Sequence, residues 1–307
     1  MSEISVTGPR ATGSAVTSSQ PSPRRPPRQI TWKIPFHVLA SFVVLAMLGF
    51  AGVAAPWLAP HDPISPNLLA RNLPPFWMAG GTLQHPLGTD QVGYDLLSRT
   101  LYGARPALAI GLCAAAIGML LGTVAGLLAG YYRGFIDHAV MMLADAQLSS
   151  PFLVIAIAVV GVLGQSVAVL LLLAGISAWP AFARAVRSQV VSLRGREFVV
   201  ASQALGARDW WILWRHLLPN LLWLVIVMVT IQLRGLILFE AFLSFLGLGV
   251  PPPDPSWGSM IASGRQYLVT AWWIAVIPGV ALVLTVVSVS LIGDWLRDVL
   301  DPTLRGR

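Results

Sequence analysis

The sequence predicts an all-α membrane protein that crosses the bilayer six times. Two observations predict this, and a third orients it. The 307 residues are 56% hydrophobic and only 11% charged, with a mean hydropathy of +0.72, well outside the range of soluble globular domains. The apolar residues are gathered into runs of about 20, the length a helix needs to cross the hydrocarbon core. The arginines fall mostly in alternate connections between those runs, which is the signature of topology rather than of nucleic-acid binding.

Residues 1–33 are rich in Ser, Thr, Pro and Arg and lack apolar periodicity, so too little surface can be buried to offset ordering entropy. A disordered cytoplasmic tail is expected there, followed by a transmembrane domain over 34–307. The expected spans cover about 36–58, 106–130, 139–163, 166–184, 219–247 and 271–293. The first is too long for the apolar core of a cleavable signal. Asp145 and Pro151 interrupt the third and leave its start ill-defined, and Gly164, Gln165 and Ser166 form a tight link to the fourth.

With the amino terminus inside, cytoplasmic segments hold Arg10, Arg24, Arg25, Arg28, Lys33, Arg133, Arg184, Arg187, Arg194, Arg196, Arg208, Arg215, Arg297, Arg305 and Arg307. Outside stand Arg71, Arg99, Arg105 and Arg265. Both termini are then cytoplasmic in a cell (inner or plasma) membrane. An external loop runs over 59–105, and a Pro-rich loop follows the fifth span. In the first of these, Val92, Leu96, Leu97 and Leu101 share a helical face with Asp90 as N-cap, predicting a helix on the outer interface.

The cytoplasmic connection over 185–218 is longer than helix connections need. Its segment "EFVVASQALGARDWWILWRHLLPN" (Glu197 to Asn220) reads as a compact helix to Leu205 and a stop at Gly206, because glycine readily takes left-handed angles. A second, interfacial helix follows over about 207–217, with Trp210, Trp211, Trp214, Leu217 and Leu218 at helical spacing. Pro219 suits the first turn of the fifth span. The excess length predicts a docking element; an amphipathic helix merely resting on the membrane is the alternative.

This segment resembles the cytoplasmic "EAA" loop of ABC importer permeases. Val200, Ala201 and Ser202 stand at its three leading positions, Gly206 at its glycine, and Leu218 with Pro219 at its closing pair. "HPLGTDQVGYDLLSRTLYGAR", "FLSFLGLGVPPPDPSWGSMIASGR" and "LIGDWLRDVLDPTLRGR" extend the resemblance across about 34–307. They point to the dipeptide/oligopeptide/nickel branch, and within it to the second of its paired permeases. The resemblance implies a type I ABC importer permease fold and import of peptides. It also implies as partners a homologous second permease, two ABC ATPases that use ATP and Mg, an external substrate-binding protein and membrane lipid. Nickel, glutathione, opines and oligosaccharides are alternative cargoes, and a non-transporting scaffold or receptor is the alternative function.

The resemblance further assigns ATPase coupling to Val200, Ala201, Ser202, Ala204, Leu205, Gly206, Ala207, Arg208 and Asp209. Val200 stands where relatives carry glutamate, and Glu197, one turn earlier, is a weak substitute. Without a Gly-x-x-x-x-Gly-Lys-Ser/Thr loop the chain is expected to bind no ATP, and no convergent acid, base and nucleophile mark an enzyme. His37, His61, His85, His138 and His216 lack ligand spacing, so no metal site is expected. A single cysteine, Cys113, can form no disulfide within the chain.

Arg234 and Glu240 lie in the fifth span, where each charge costs about 2.5 to 3.5 kcal/mol on the insertion scale. Both should therefore face protein or a wet cavity. Arg234 is assigned to the translocation path and Glu240 to the outer gate, with Asp145 as a further path candidate. Structural hydrogen bonding is the alternative role for Arg234 and Glu240, and for Asp145 the alternative is a residue that simply reaches the inner interface.

Overall fold

The structure, a computed structural model, describes residues 34–300. The expectations for residues 1–33, and for the chain after Leu300, lie outside the described residues. Helices make up the architecture, and among the described residues there is no β-strand beyond an isolated antiparallel bridge between Thr89 and Asp95. Five helices are long and apolar enough to cross a membrane, and six crossings result if one bent pair counts as a single span.

Helix α1 covers Phe36–Val53, with a short α2 at Ala55–Leu58. Helix α3, Leu96–Tyr132, is one continuous element of 37 residues. The separate interfacial helix expected before the second span is therefore its first turns. Pro106 gives up one backbone hydrogen bond without ending the helix. The expected cap moves as well: Asp95 caps α3 by accepting from the Ser98 N–H. Asp90 instead folds a loop, one oxygen accepting from Val92 N at 2.9 Å and Tyr94 N at 3.0 Å.

The third apolar stretch is two helices, α4 (Gly134–Ser149) and α5 (Phe152–Leu163), set 85° apart. Pro151 lies in extended backbone between them, and proline disfavours helical angles at the residue before it, here Ser150. Helix α6 spans Val167–Arg194, ten residues beyond the expected end of the fourth span. Its N-cap Ser166 accepts from Val169 N at 3.2 Å.

The core is the seam between α3 and α6. Gly118, Gly122, Gly126 and Gly130 recur every four residues on α3, and a Cβ at each would lie 2.4 to 2.7 Å from atoms of Ala178, Trp179, Ala183 or Val190. Such a stripe lets two backbones approach closely, a principal source of helix association in lipid. Around it lie buried Ala114, Ala115, Ala174, Ala178 and Phe182.

Helix α9, Leu218–Phe245, packs beside this seam, and α11, Trp273–Leu300, joins α9 to α1. The Pro-rich loop between them carries a helix that its composition hides, α10 at Trp257–Gly264. Ser256 and Ser259 cap it reciprocally. Trp257 is fully buried and donates its indole N–H to Thr100 O at 3.0 Å, locking this end of the bundle to α3.

Candidate functional site

At the other end of α3 lies the long polar connection. Helix α6 stops at Gly195, and Arg196, in extended backbone, precedes α7 at Glu197–Ala204. The end of α7 follows a Schellman pattern. The N–H of Ala207 reaches Ser202 O at 3.1 Å, and that of Gly206 reaches Gln203 O at 3.0 Å. Closing both bonds needs left-handed backbone, and Gly206 has φ +79°. An L side chain there costs about 1 to 2 kcal/mol, so the local sequence dictates the turn.

After Arg208 the chain re-enters helix as α8, Asp209–Ile212, then a π turn over Leu213–Leu217, then α9. The separate interfacial helix expected over 207–217 is thus the first part of a continuous helical run from Asp209 to Phe245. The π turn has a local cause. Pro219 lacks an N–H and crowds the carbonyl four residues back, and a wider turn relieves that conflict within a helix.

Helix α7 has two unlike faces. Inward, fully buried Val199 packs in a cluster with Leu127 and Tyr131 of α3, Val186 and Val190 of α6, and Ile212, Leu213 and Leu217. Outward, Val200 is 53% and Leu205 88% exposed, with Ala201 and Ala204 also exposed. Glu197, Arg208 and Asp209 rim this surface. Val200 makes no inward contact of the kind Val199 makes, so exchanging an acid for valine there leaves the fold of this loop intact.

One side chain fastens the loop to α3. Tyr131 donates its hydroxyl to Asp209 Oδ1 at 2.7 Å and accepts from Gln203 Nε2 at 3.3 Å, while Arg194 stands 5.6 Å over its ring. A hydrogen bond of this kind contributes about 1 kcal/mol net. Burying Val199 contributes about 1.5 to 3 kcal/mol, so apolar packing carries the attachment and Tyr131 sets its register. Ser202 donates to Phe198 O at 2.7 Å and lies 3.3 Å from His216 Nε2. That histidine packs edge-on to Trp211, with ring centroids 4.7 Å apart.

Of the charged residues expected in the path, the structure separates all three. Glu240 is fully buried and accepts from Ser244 Oγ at 2.7 Å, and Ser244 Oγ in turn accepts from Val250 N at 3.2 Å. It thereby braces the turn that ends α9. Arg234 is exposed on the same helix. Asp145 is exposed and pairs with Arg184 of α6. A second pair, Asp137 with Arg187, joins α4 to α6 through two guanidinium nitrogens donating to both carboxylate oxygens, the Nη2–Oδ2 arm at 2.6 Å. Neither this pair nor Tyr131 was singled out from sequence. Each joins residues 50 or more positions apart, and no local spacing encodes such contacts.

A glycine-sealed helix bundle with several apolar spans defines a polytopic membrane protein. Residues 122–306 match the family described as "Binding-protein-dependent transport system inner membrane component". The chain belongs to that family and is a multi-pass membrane permease subunit of a binding-protein-dependent importer. It is similar to the di/tripeptide transport system permease protein DppC of Pseudomonas aeruginosa, 39% identical over 267 residues covering 87% of this chain and 88% of that protein. It is also similar to the probable D,D-dipeptide transport system permease protein DdpC of Escherichia coli, at 36% over 300 residues and 94% and 98% coverage. The glutathione transport system permease protein GsiD of Pectobacterium atrosepticum matches at 41% over 226 residues, with 74% and 75% coverage. Among solved structures, a chain of the MetNI methionine ABC transporter in inward-facing conformations superposes with a TM-score of 0.55. Its identity is 21%, and the match covers 66% of this chain and 96% of that one. This likeness bears on the fold alone, that of type I ABC importer permeases.

Proposed function

We propose that this chain is a peptide-importing permease that receives mechanical work from a cytoplasmic ATPase through α7. The observation that carries the proposal is the two-faced helix: Val199 is locked into the bundle while Val200 and Leu205 stand exposed beyond it. An ATPase groove closing on that outer face would push α3 through Tyr131, and α9 through the unbroken helix that begins at Asp209. Gly206 lets α7 turn back toward that helix without strain.

In this assembly a homologous second permease completes the path, and two ABC ATPases supply the work. ATP and Mg belong to those ATPases; this chain, lacking a phosphate loop in its sequence, binds no nucleotide, holds no metal in the path and performs no catalysis. An external binding protein delivers cargo. The arginine asymmetry supports cytoplasmic termini and a cytoplasmic 185–218 loop, with 59–105 external. Peptide is the cargo favoured by relatives named for dipeptides and tripeptides. Arg234, exposed on α9, would face the path shared with the second permease, Glu240 would stiffen the outer gate, and Asp145 would serve as an ion-pair partner near the inner surface.

The test is a crosslink. With Cys113, the sole cysteine, changed to serine, Leu205→Cys should crosslink to the co-purified ATPase with a short bifunctional thiol reagent, in an ATP-dependent manner. An ATPase that co-purifies but never crosslinks at this position would overturn the docking assignment. Identifying the ligand that co-purifies with the cognate binding protein would name the cargo, and a ligand without a peptide bond would overturn that part.

A further inference from the structure

We propose that His61, His85 and Asp95 form a binding site for a divalent transition-metal ion of zinc-like chemistry. The site lies at the end of the bundle remote from α7. It stands at the amino terminus of α3, whose 37 residues separate it from Tyr131 by about 50 Å at 1.5 Å per residue.

Three positions of the segment that leads into α3, separated by 24 and 10 residues, meet there. One ring nitrogen from each histidine and one carboxylate oxygen of Asp95 all lie within 4.8 Å of one another. His85 Nδ1 is 2.9 Å and His61 Nδ1 3.8 Å from the same oxygen, Oδ1. Ligands of a four-coordinate zinc ion, at about 2.0 to 2.2 Å from the metal, are separated by distances of this order. A small movement of the His61 ring would therefore complete the set. The two imidazoles are stacked at 4.5 Å and 26°, so both turn the same edge toward Asp95.

The outer layer has the form such a site needs. Asp95 Oδ2 accepts from Ser98 N at 2.8 Å and Ser98 Oγ at 2.7 Å, which fixes the carboxylate and turns Oδ1 toward the centre, where it meets His85 Nδ1 at 2.9 Å, a contact that a bound ion would replace. Ser98 Oγ also accepts from the backbone N–H of His61 at 3.1 Å, holding that stretch in place. His85 and Asp95 are buried, whereas the His61 side chain is 41% exposed, giving an ion an entry route and an open position for water. Two nitrogens and one oxygen suit zinc and its borderline neighbours. Calcium and magnesium prefer all-oxygen shells.

The test is equilibrium dialysis of the metal-stripped, intact complex against zinc chloride, with the complex purified without a polyhistidine tag. One zinc per copy of this chain is expected. His61→Ala should weaken binding by more than about 100-fold, beyond the 10- to 100-fold that losing an outer-shell partner costs. Asp95→Asn keeps an effective helix cap and should weaken it as much, so loss of binding there is not loss of fold. Wild-type protein that retains no zinc, zinc binding unchanged in both variants, or calcium bound equally well would each overturn the proposal.

Discussion

The two ends of α3 solve opposite problems. At its amino terminus the chain closes on itself. Thr89 is fully buried, its hydroxyl bonded to the Ala70 carbonyl and the Leu73 N–H, and Trp273 Nε1 reaches its carbonyl at 3.3 Å. Trp257 is bonded to Thr100, and Arg99 donates to Pro63 O at 3.1 Å. At its carboxyl terminus the polar contacts are few, centred on Tyr131, and α7 keeps an apolar face toward solvent. One end is tied down by contacts within this chain; the other presents an apolar face. Substitutions at the first end should cost stability, and those at the second should cost coupling.

Trp257→Ala breaks the comparison hardest on the closed side. Truncating a buried tryptophan typically costs about 3 to 5 kcal/mol, read as a large loss of thermal stability in detergent. Leu205→Asp is its counterpart at the open end. At 88% exposure it should leave stability within about 0.5 kcal/mol. Uptake should fall at least about tenfold, because a leucine seated in a partner groove contributes about 1.5 to 3 kcal/mol. Equal losses of stability in the two variants would erase the distinction.

Smaller changes sharpen it. Tyr131→Phe removes one hydroxyl and about 1 kcal/mol. Uptake should drop by no more than about fivefold, with the loop still folded around Val199. Val200→Glu introduces the acid that the resemblance to the EAA loop implies at this position. It should leave the melting temperature unchanged and raise substrate-stimulated ATP hydrolysis, measured in the reconstituted complex, by a small factor.

What the sequence made legible follows the range of the interaction that decides each feature. Apolar length and the left-handed stop at Gly206 are local: Gly206 has φ +79°, and long apolar helices form near the expected stretches, although the third is broken into two. Whether Asp90 or Asp95 caps α3 is not local: both precede the same helix, and the choice falls to Asp95 because His85 and Ser98 hold it while Asp90 turns its own loop. The helix at Trp257 was hidden by a preceding run of prolines and a serine-for-serine cap. The bend at Pro151 was visible as an interruption, but its angle depends on how α5 packs against α6. The histidine cluster was illegible because 24 positions separate His61 from His85, and only the folded loop before α3 brings them together.

The most direct test uses Gly206→Val, where a β-branched side chain cannot hold φ +79° although its Cβ would meet no neighbour within 4 Å. Peptide uptake and ATP hydrolysis would be measured in the same proteoliposomes containing the full complex. The expected result is uptake near background while ATP hydrolysis persists, since the turn that aims α7 at its partner is lost but the bundle is not. Uptake at the wild-type rate, with hydrolysis still coupled to it, would contradict transmission through this loop.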